Sequence, residues 1–374
     1  MREWTDMQTG RTVRQLTDWP AGATVAPFRR PKHLPDGCLL AHQGGPSGGE
    51  IAIDPESGDV RRLELPGRLL RLGACTDRTY CLDAERNVWM APLPDGEPIL
   101  LGRAPRVSRY TIEVDITEDG RTLVMGERIH DLRQHPTPSD WDAPRLMQWF
   151  ARPRSGNIWA YDLQQDRLKR ILHLDDVCPI HIDPSPADPR LVKFSHDHYD
   201  AYCQRIWTIR KDGSDLRPIR PQERGEFVTH EFWWPDGHYI AYKYQDRRGD
   251  PTIEQLPWGE YSPVPTQIGL ADLSGKEVYL SDPINHYHSH VFVSRDGGLL
   301  CGEGTDGHGF VYVATFSMQS SRIEFTPLAT VHTPYRPFSI GQHVNAGFSQ
   351  DNRWLVYNDT IAGRLQVCAV RAEL

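Results

Sequence analysis

A short run of the chain, His286-Tyr287-His288-Ser289-His290, carries three histidines at alternate positions. Successive side chains of an extended strand point to opposite faces, so we expect these three imidazoles to point the same way. The apolar Val291-Phe292-Val293 and the turn-forming Ser294-Arg295-Asp296-Gly297 that follow favour a strand here. Imidazole is the commonest metal ligand and a general base suited to neutral pH. The run therefore predicts a metal or catalytic site, against the alternative of a polar strand end at the surface.

The composition is that of a turn-rich globular protein. The chain has 374 residues, 39% of them hydrophobic, with 31 glycines and 30 prolines, which argues against disorder. A formal charge of −8, without a basic stripe, argues against a nucleic-acid partner. The charged start Met1-Arg2-Glu3 predicts no signal peptide, and the absence of a run of about 18 apolar residues predicts no membrane span. Seven scattered cysteines without a Cys-Xaa-Xaa-Cys pair favour reduced thiols, so we expect a cytoplasmic protein.

One kind of short apolar strand recurs along the whole chain. Each copy is followed by a turn and then by a second, more polar strand. The copies are Ile51-Ala52-Ile53, Val88-Trp89-Met90, Ile158-Trp159-Ala160, Ile206-Trp207-Thr208, Ile268-Gly269-Leu270, Val311-Tyr312-Val313 and Leu365-Gln366-Val367. Self-similarity of this kind indicates a repeat architecture.

Another pair of strands precedes most of these copies and has its own hairpin turn. Asp-Gly is the favoured signal for a two-residue hairpin, because both central positions need or tolerate positive φ. The turns are Pro35-Asp36-Gly37, Glu118-Asp119-Gly120, Pro235-Asp236-Gly237, Arg295-Asp296-Gly297 and Gln350-Asp351-Asn352. Four strands in each of seven units predict an all-β fold, a seven-bladed β-propeller.

The two chain ends predict how the ring closes. Leu365 to Val370 has the pattern of the third strand of its unit, and the chain stops at Leu374 before a fourth can form. Residues Thr12 to Leu16 have the pattern of that missing strand. Pairing of the first and last strands would remove an exposed sheet edge. We therefore expect the N-terminal strand to complete the last blade.

The units differ in length because some of them carry extra residues. The two largest insertions are near residues 130–153 and 247–265. Insertions of this length in a compact repeat are usually functional loops. No linker or low-complexity segment divides the chain, so we expect residues 1–374 to form one domain.

Histidines recur near the predicted inner strands of four consecutive units. Because inner strands converge on the central channel, we expect these segments to meet there although they are distant in sequence. They are Ser195-His196-Asp197-His198, Thr229-His230-Glu231-Phe232-Trp233, His286 to His290, and Gln342-His343-Val344-Asn345. Five other histidines are expected at the surface, namely His33, His42, His173, His238 and His332. The four segments together predict a metal or catalytic site.

Four motifs in this half of the chain match those of a known family. They are His230-Glu231-Phe232-Trp233 followed by Pro235-Asp236-Gly237, Arg205-Ile206-Trp207, His288-Ser289-His290 and Ser195-His196-Asp197. The chain thereby resembles the oligogalacturonate lyases of polysaccharide lyase family 22, which are seven-bladed propellers. Their motifs read His-Glu-Phe-Trp, Pro-Asp-Gly, Arg-Xaa-Trp, His-Ser-His and Cys-His-Glu. The motif match covers about residues 190–360, and the first half matches only as a repeat pattern.

The resemblance implies roles for the matching residues. It implies His230 and Arg205 as catalytic residues, a divalent metal such as Mn²⁺, and a uronate-containing oligosaccharide from pectin as substrate. The implied metal ligands are His288, His290, His343, Asn345 and Gln342, and the implied substrate-binding residues are His196, His198 and Trp233. The family's last ligand segment reads Gln-Xaa-Xaa-His-Xaa-His. This chain departs from it by placing Asn345 where the second histidine stands and by the shifted position of Gln342. An asparagine oxygen ligates a hard cation, but more weakly than imidazole.

The chemistry of such a lyase fits these residue types independently of the resemblance. A β-elimination removes the C5 proton of a uronate, which is acidified when a metal or an arginine neutralises the adjacent carboxylate. Histidine suits the base that takes the proton. His230 is the predicted base and Arg205 its neighbour, with the reverse assignment, Arg205 as base and His230 as a substrate contact, left open.

Two other classes of function compete with the lyase interpretation. A non-catalytic propeller could serve as an interaction scaffold, with histidines that only satisfy one another. A glycosidase would need two carboxylates beside the scissile bond, and the histidine segments offer only Asp197 and Glu231. A serine peptidase would need a Gly-Xaa-Ser-Xaa-Gly elbow, which is absent from the sequence.

Overall fold

The computed structural model of the protein describes most of the chain. The described residues are 1–26, 29–46, 48–73, 77–107, 111–129, 155–175, 177–196, 204–249, 264–284, 288–304, 309–333 and 343–374, without the side chains of Ile112, His288 and Ser289. The predicted insertion at residues 130–153 lies outside this part of the chain, as does most of that at residues 247–265. Among these residues no helix is long and apolar enough to cross a membrane.

The described residues form seven antiparallel sheets, each of which is one blade of a ring. Blade 1 contains β3 (Ala23–Val25), β4 (Leu39–Gln43), β5 (Gly49–Ile53) and β6 (Val60–Arg62). Blade 2 contains β7 (Arg68–Leu72), β8 (Arg78–Leu82), β9 (Asn87–Pro92) and β10 (Ile99–Arg103). Blade 3 contains β11 (Thr111–Ile116), β12 (Thr122–Arg128), β13 (Gly156–Asp162) and β14 (Arg167–Leu174). Blade 4 contains β15 (Pro179–Pro184), β16 (Leu191–His196), β17 (Ile206–Arg210) and β18 (Arg217–Pro218).

The remaining blades follow the same order. Blade 5 contains β19 (Glu226–Trp233), β20 (Tyr239–Asp246), β21 (Gln267–Asp272) and β22 (Glu277–Leu280). Blade 6 contains β23 (His288–Val293), β24 (Leu299–Gly304), β25 (Phe310–Thr315) and β26 (Thr326–Thr330). Blade 7 contains β27 (Gly347–Phe348), β28 (Trp354–Ile361) and β29 (Arg364–Arg371), with β2 (Thr12–Gln15) and β1 (Arg2–Thr5) at its outer edge. The seven recurring apolar strands of the sequence are the third strands of these blades, so the predicted seven-bladed propeller is confirmed.

The N-terminal strand closes the ring as predicted. Val13 pairs with Val370 and Gln15 pairs with Cys368, which joins β2 to β29. The additional strand β1 pairs with β2 and was not expected from the sequence, so the closing sheet has five strands. The two ends of the chain are thereby joined within one blade.

The core is divided among the contacts between blades. Buried apolar side chains of the described residues form seven clusters, and each cluster joins two neighbouring blades. The cluster that joins blades 7 and 1, for example, packs Trp354 and Val367 against Leu39 and Ile51. Each blade thus contributes one apolar face to each of two clusters. An isolated blade would expose both of these faces to solvent.

The hairpins between first and second strands follow the predicted Asp-Gly signals, but with longer loops. In blade 5 the amide of Trp234 donates to the carbonyl of Tyr239, and the amide of Gly237 donates to the carbonyl of Trp234, so four residues separate the paired ends. The φ of Gly237 is 71°, and that of Asn352 at the same place in blade 7 is 59°. A type I turn followed by a residue with left-handed backbone gives such a longer loop. A two-residue hairpin would need a type I′ or II′ turn.

First strands line the central channel, where those of neighbouring blades contact one another, as β7 and β15 do with β11 and as β23 does with β19 and β27. The two ends of this channel differ. First strands begin at one end, and the Asp-Gly hairpins that follow them lie at the other. His230 in β19 and His290 in β23 precede these hairpins.

Candidate active site

Three histidines from three blades come together beside the channel. The ring centroids of His230 on β19 and His290 on β23 are 4.6 Å apart. Those of His290 and His343, which precedes β27, are 5.1 Å apart and the rings meet edge to face. His230 and His290 are each 8% exposed. The predicted convergence of histidines from consecutive blades is therefore present for these three, which we call the histidine cluster.

A buried carboxylate fixes the orientation of His290. Nδ1 of His290 is hydrogen-bonded to Oε1 of Glu303 on the neighbouring strand β24. The other oxygen of Glu303 accepts a hydrogen bond of 3.0 Å from the amide of Ala346 in blade 7. Burial raises the pKa of Glu303, but His290 and this amide together hold it below its usual value. Glu303 thus stays ionised and ties blade 6 to blade 7 beneath the cluster.

Bulges in the first strands position these side chains. In β19, Thr229 pairs with Lys243 and Phe232 pairs with Ala241, so His230 and Glu231 together face a single residue of β20. In β23, the same kind of bulge places Ser289 and His290 opposite Glu303. His181 in β15, His230 and Asn345 all have positive φ, between 50° and 55°. Such bulges re-aim side chains and are frequent beside active sites.

A bulge also lies within the histidine run from which the sequence predicts a site. Alternation predicts that His286, His288 and His290 share one face, and the register of β23 shifts between His288 and Val291. His286 lies outside the described residues, as does the side chain of His288, so their part in a site stays a prediction.

Arg205 lies next to the histidine cluster and belongs to a buried network around Glu231. Glu231 is fully buried, and its Oε2 accepts a hydrogen bond of 2.8 Å from Nε of Arg205. Its Oε1 accepts from the hydroxyl of Ser195 and is 2.6 Å from Nδ1 of His181. Nη1 of Arg205 donates to the carbonyl of His196 at 3.2 Å. The carboxylate therefore joins blade 5 to blade 4, while His230, its neighbour in the chain, contacts blade 6.

The electrostatics of the site keep two histidines neutral at neutral pH. Burial lowers the pKa of His230 well below 6.5, and electrostatic contributions from Lys243, His290 and Arg205 lower it further. Burial and His290 lower the pKa of His343 to about 4. A neutral imidazole is what both a metal ligand and a general base require.

The other predicted site residues are only partly brought together. His196 ends β16, a second strand, and stacks on Trp207 with ring centroids 5.3 Å apart, so its segment is not equivalent to the other three. Trp233 packs between blades 4 and 5 and donates its indole N–H to the carbonyl of Asp183 at 3.0 Å. Asn345 lies two residues after His343 and is partly exposed. His198 and Gln342 lie outside the described residues, so their predicted roles remain predictions.

The histidine that occupies the inner strand of blade 4 was missed. His181 has the same bulged position and positive φ as His230, and hydrogen-bonds to the carboxylate of Glu231. The hairpin after it reads Ser185-Pro186-Ala187-Asp188-Pro189 and lacks the turn signal that marks the inner strands of five other blades. The internal repeat, applied to blade 4 without that signal, would have pointed to His181.

The donor chemistry of the histidine cluster suits a divalent transition metal. A metal-bound histidine commonly donates its second ring nitrogen to a carboxylate, as the contact between His290 and Glu303 would allow. Among the side chains that the structure describes, however, no three of His, Cys, Asp and Glu form a group that could hold a metal ion. A complete ligand set would need residues beyond these, and His288 and Gln342 are the ones that the sequence predicts.

One family model and two curated relatives match part of this chain. A family model described as oligogalacturonate lyase matches residues 120–254, which include Arg205 and His230. An oligogalacturonate lyase of Dickeya dadantii is 41% identical over 120 residues, which are 32% of this chain and 27% of that protein. An oligogalacturonide lyase of Pectobacterium atrosepticum is 30% identical over 125 residues, which are 32% of this chain and 28% of that protein. The match thus spans less than a third of the length of these curated relatives.

Solved structures extend the likeness to the whole fold. A structure of an oligogalacturonate lyase in complex with manganese has a TM-score of 0.75 and 21% identity, and the match covers 99% of this chain and 95% of that one. A structure of an oligogalacturonate lyase from Vibrio parahaemolyticus has a TM-score of 0.75 and 19% identity, with 100% and 96% covered. At this identity the structures establish the shared propeller fold. Together with the family model, they confirm the resemblance to the oligogalacturonate lyases that the sequence motifs predict.

Proposed function

We propose that this protein is a lyase that cleaves uronate-containing oligosaccharides, of the oligogalacturonide type, by β-elimination. The observation that carries the proposal is the position of His230 between two groups that such a reaction needs. On one side lies His290, oriented by Glu303, and on the other Arg205, which Glu231 holds and which lowers the pKa of His230. The matched segment at residues 120–254 supports the same conclusion.

In this proposal His230 is the general base. Its neutral imidazole takes the C5 proton of the uronate, the electron pair forms the C4–C5 double bond, and the C4–O bond to the leaving sugar breaks. The leaving oxygen takes up a proton, and the product carries a 4,5-unsaturated uronate end. The low pKa of His230 ensures that it is unprotonated and ready to accept the proton at neutral pH.

Arg205 is assigned to the substrate carboxylate and not to proton transfer. Its Nε is 2.8 Å from the ionised Glu231, and a guanidinium beside a carboxylate keeps its proton. A cation at this place favours the negative charge that develops on the carboxylate when the C5 proton leaves. The fixed orientation of the guanidinium, held by Glu231 and the carbonyl of His196, limits how far the substrate can shift.

A divalent cation, with Mn²⁺ as the candidate, would be held by His290 and His343, with His288, Asn345 and Gln342 as the further predicted ligands. When bound, it would supply a Lewis acid that neutralises the uronate carboxylate and so acidifies the C5 proton. Glu303 would orient His290 for this role through the bond to Nδ1.

The direct test is cleavage of a panel of oligouronides by the purified protein, followed by the ultraviolet absorbance of the unsaturated product. We expect turnover of oligogalacturonides in the presence of Mn²⁺. A protein that is inactive on every uronide tested and retains no divalent metal would contradict the proposal and favour an interaction scaffold.

Replacing His290 by alanine should remove the bound metal and the activity together. The imidazole is both a predicted ligand and the group that Glu303 orients. Metal bound per chain, measured after dialysis against Mn²⁺, checks the first effect, and the absorbance assay checks the second. His238→Ala serves as the matched control, because His238 is an exposed histidine in the blade 5 hairpin. Full metal content in His290→Ala would exclude His290 as a ligand.

A further inference from the structure

A second cavity lies at the opposite end of the channel from the histidine cluster. Its volume is about 450 Å³, which is within the usual range of small-molecule sites. Its walls include the last residues of β19 and β23 and the hairpins that follow them, Trp233 to Asp236 and Phe292 to Gly297. His230 and His290 lie earlier in the same strands, toward the other end. We call this space the hairpin-end cavity.

Basic side chains are prominent in the lining of the hairpin-end cavity. Four arginines and Lys32, whose pKa burial lowers to about 7, line it against three carboxylates, in a chain whose net charge is −8. The cations are Arg29, Arg30, Lys32, Arg71 and Arg295, and the carboxylates are Asp183, Asp236 and Asp296. An excess of one sign in a partly enclosed space favours a ligand of the opposite sign.

Two of the arginines form ion pairs that hold neighbouring blades together. Arg30 pairs with Asp115 at 2.6 Å and with Asp183 at 3.1 Å. Arg71 pairs with Asp115 at 3.3 Å and donates to the carbonyl of Pro184 at 3.0 Å. These contacts join blades 2, 3 and 4 to the segment that follows β3. Both guanidinium groups are therefore engaged in structural contacts.

Arg29 and Arg295 are less fully engaged in structural contacts than Arg30 and Arg71. Nη1 of Arg29 is buried and has no hydrogen-bond partner among the described residues, and the carboxylate of Glu113 lies 3.6 Å from its Nη2. Arg295 is exposed at the rim and forms no ion pair with any described residue. The turn does not require an arginine there, since the same hairpin position holds Glu118 in blade 3 and Pro235 in blade 5. Both guanidinium groups therefore have donors to offer to a ligand.

Aromatic side chains form much of the remaining wall, and the carboxylate beside Arg295, that of Asp296, accepts hydrogen bonds within the protein. Trp233, Trp234, Phe292 and Phe348 line the cavity. Asp296 accepts hydrogen bonds from Ser294, Gly298 and Asn352, which use it to hold the hairpins. A ligand with an anionic group for the arginines and an apolar face for the rings matches this lining.

We propose that the hairpin-end cavity is a second binding site, which takes a small sugar acid through its carboxylate. Arg295 at the rim and Arg29 at the wall hold the carboxylate, and the aromatic wall contacts the ring of the sugar. None of His230, His290 and His343 lines this cavity, although Trp233, an implied substrate contact, does, so its ligand binds without contacting the histidine cluster. The choice of a uronic acid as ligand rests on the proposed function, whereas the need for a carboxylate rests on the cavity alone.

Calorimetric titration with D-galacturonate tests the site, with D-galactose as the probe that lacks the carboxylate. In Arg295→Gln we expect one galacturonate fewer per chain, or a site at least about tenfold weaker, as the loss of a charge-assisted hydrogen bond gives. D-galactose should not bind at this site. Arg121→Gln is the matched control, because Arg121 is exposed in the corresponding hairpin of blade 3 and does not line the cavity.

The outcomes separate this proposal from the proposed function. Cleavage of oligogalacturonides by Arg295→Gln should equal that of the wild type, since Arg295 has no role in the cleavage site. Unchanged galacturonate binding in Arg295→Gln, or equal binding of D-galactose, would overturn the second site whether or not the protein is a lyase. A wild type that binds galacturonate through Arg295 but cleaves no uronide would instead overturn the lyase and leave the second site standing.

Discussion

The His230→Ala variant is expected to cleave oligogalacturonides with a kcat about 10²- to 10⁴-fold lower than the wild type, which is the usual contribution of a positioned proton-transfer group. His230 is buried beside His290 and Arg205, so no solvent-exposed base can take its place at the same point. Metal content should stay near that of the wild type, because His230 is not among the predicted ligands. His238→Ala, in the hairpin after the same strand, should retain full activity.

The pH dependence of kcat/KM distinguishes His230 from Arg205 as the base. A base acts in its unprotonated form, so lowering its pKa extends activity toward lower pH. Burial, Lys243, His290 and Arg205 lower the pKa of His230 well below 6.5, and we therefore expect the acidic limb below pH 6.5. An acidic limb that persists unchanged in the residual activity of His230→Ala would assign the base to another group, with Arg205 as the first to be examined.

The fold could be predicted from the sequence because its signals are local. The third strand of each blade reads as an apolar run such as Ile158-Trp159-Ala160, and the hairpins need a residue with positive φ at a fixed place. Neither signal depends on which blades are neighbours. Strand β1 is not predictable in this way, because Arg2-Glu3-Trp4-Thr5 lies at the outer edge of the sheet. Its residues there are largely exposed and carry no apolar pattern.

The site was harder to predict because bulges break the alternation on which strand analysis relies. His230 and Glu231 point to opposite faces of blade 5, with His290 in blade 6 and Arg205 in blade 4 as their partners. The bulge sets both residues opposite a single residue of β20, so faces counted by strict alternation from the start of β19 are out of step after Thr229. A sequence does not reveal where one extra residue enters a strand unless a glycine marks it, and here the positive φ belongs to His230 itself.

The carboxylates of the site illustrate a second limit of sequence analysis. Glu303 pairs with His290 across 13 positions and Glu231 pairs with Arg205 across 26. Such pairs follow from strand register and from which blades adjoin, and neither is visible in a single sequence. Glu231 was recognised as a carboxylate beside a histidine, but its function could be inferred only when Arg205, Ser195 and His181 were seen around it.

Replacing Glu231 by glutamine should cost about 3–5 kcal/mol of the free energy of unfolding, as expected when one partner of a buried ion pair is removed. The carboxylate is fully buried and bonded to Arg205 and His181, and a neutral amide would leave the guanidinium as an uncompensated buried charge. Denaturant unfolding measures the loss. Glu223→Gln is the matched control, because Glu223 forms an exposed pair with Arg248 at 2.9 Å, and such pairs contribute about 0–1 kcal/mol.

The difference between the wild type and Glu231→Gln should also depend on pH. Burial raises the pKa of Glu231, but Arg205 and His181 outweigh it and hold the pKa well below 4.5 in the folded protein. The ionised carboxylate therefore stabilises the fold fully above about pH 4.5, its usual pKa when unfolded, and this stabilisation is lost as the pH falls through the folded value. Stability curves of the two proteins should converge on acidification. If the difference in free energy of unfolding stays constant down to acid pH, the glutamine destabilises the fold through its packing. The charge of Glu231 then does not hold Arg205 in place.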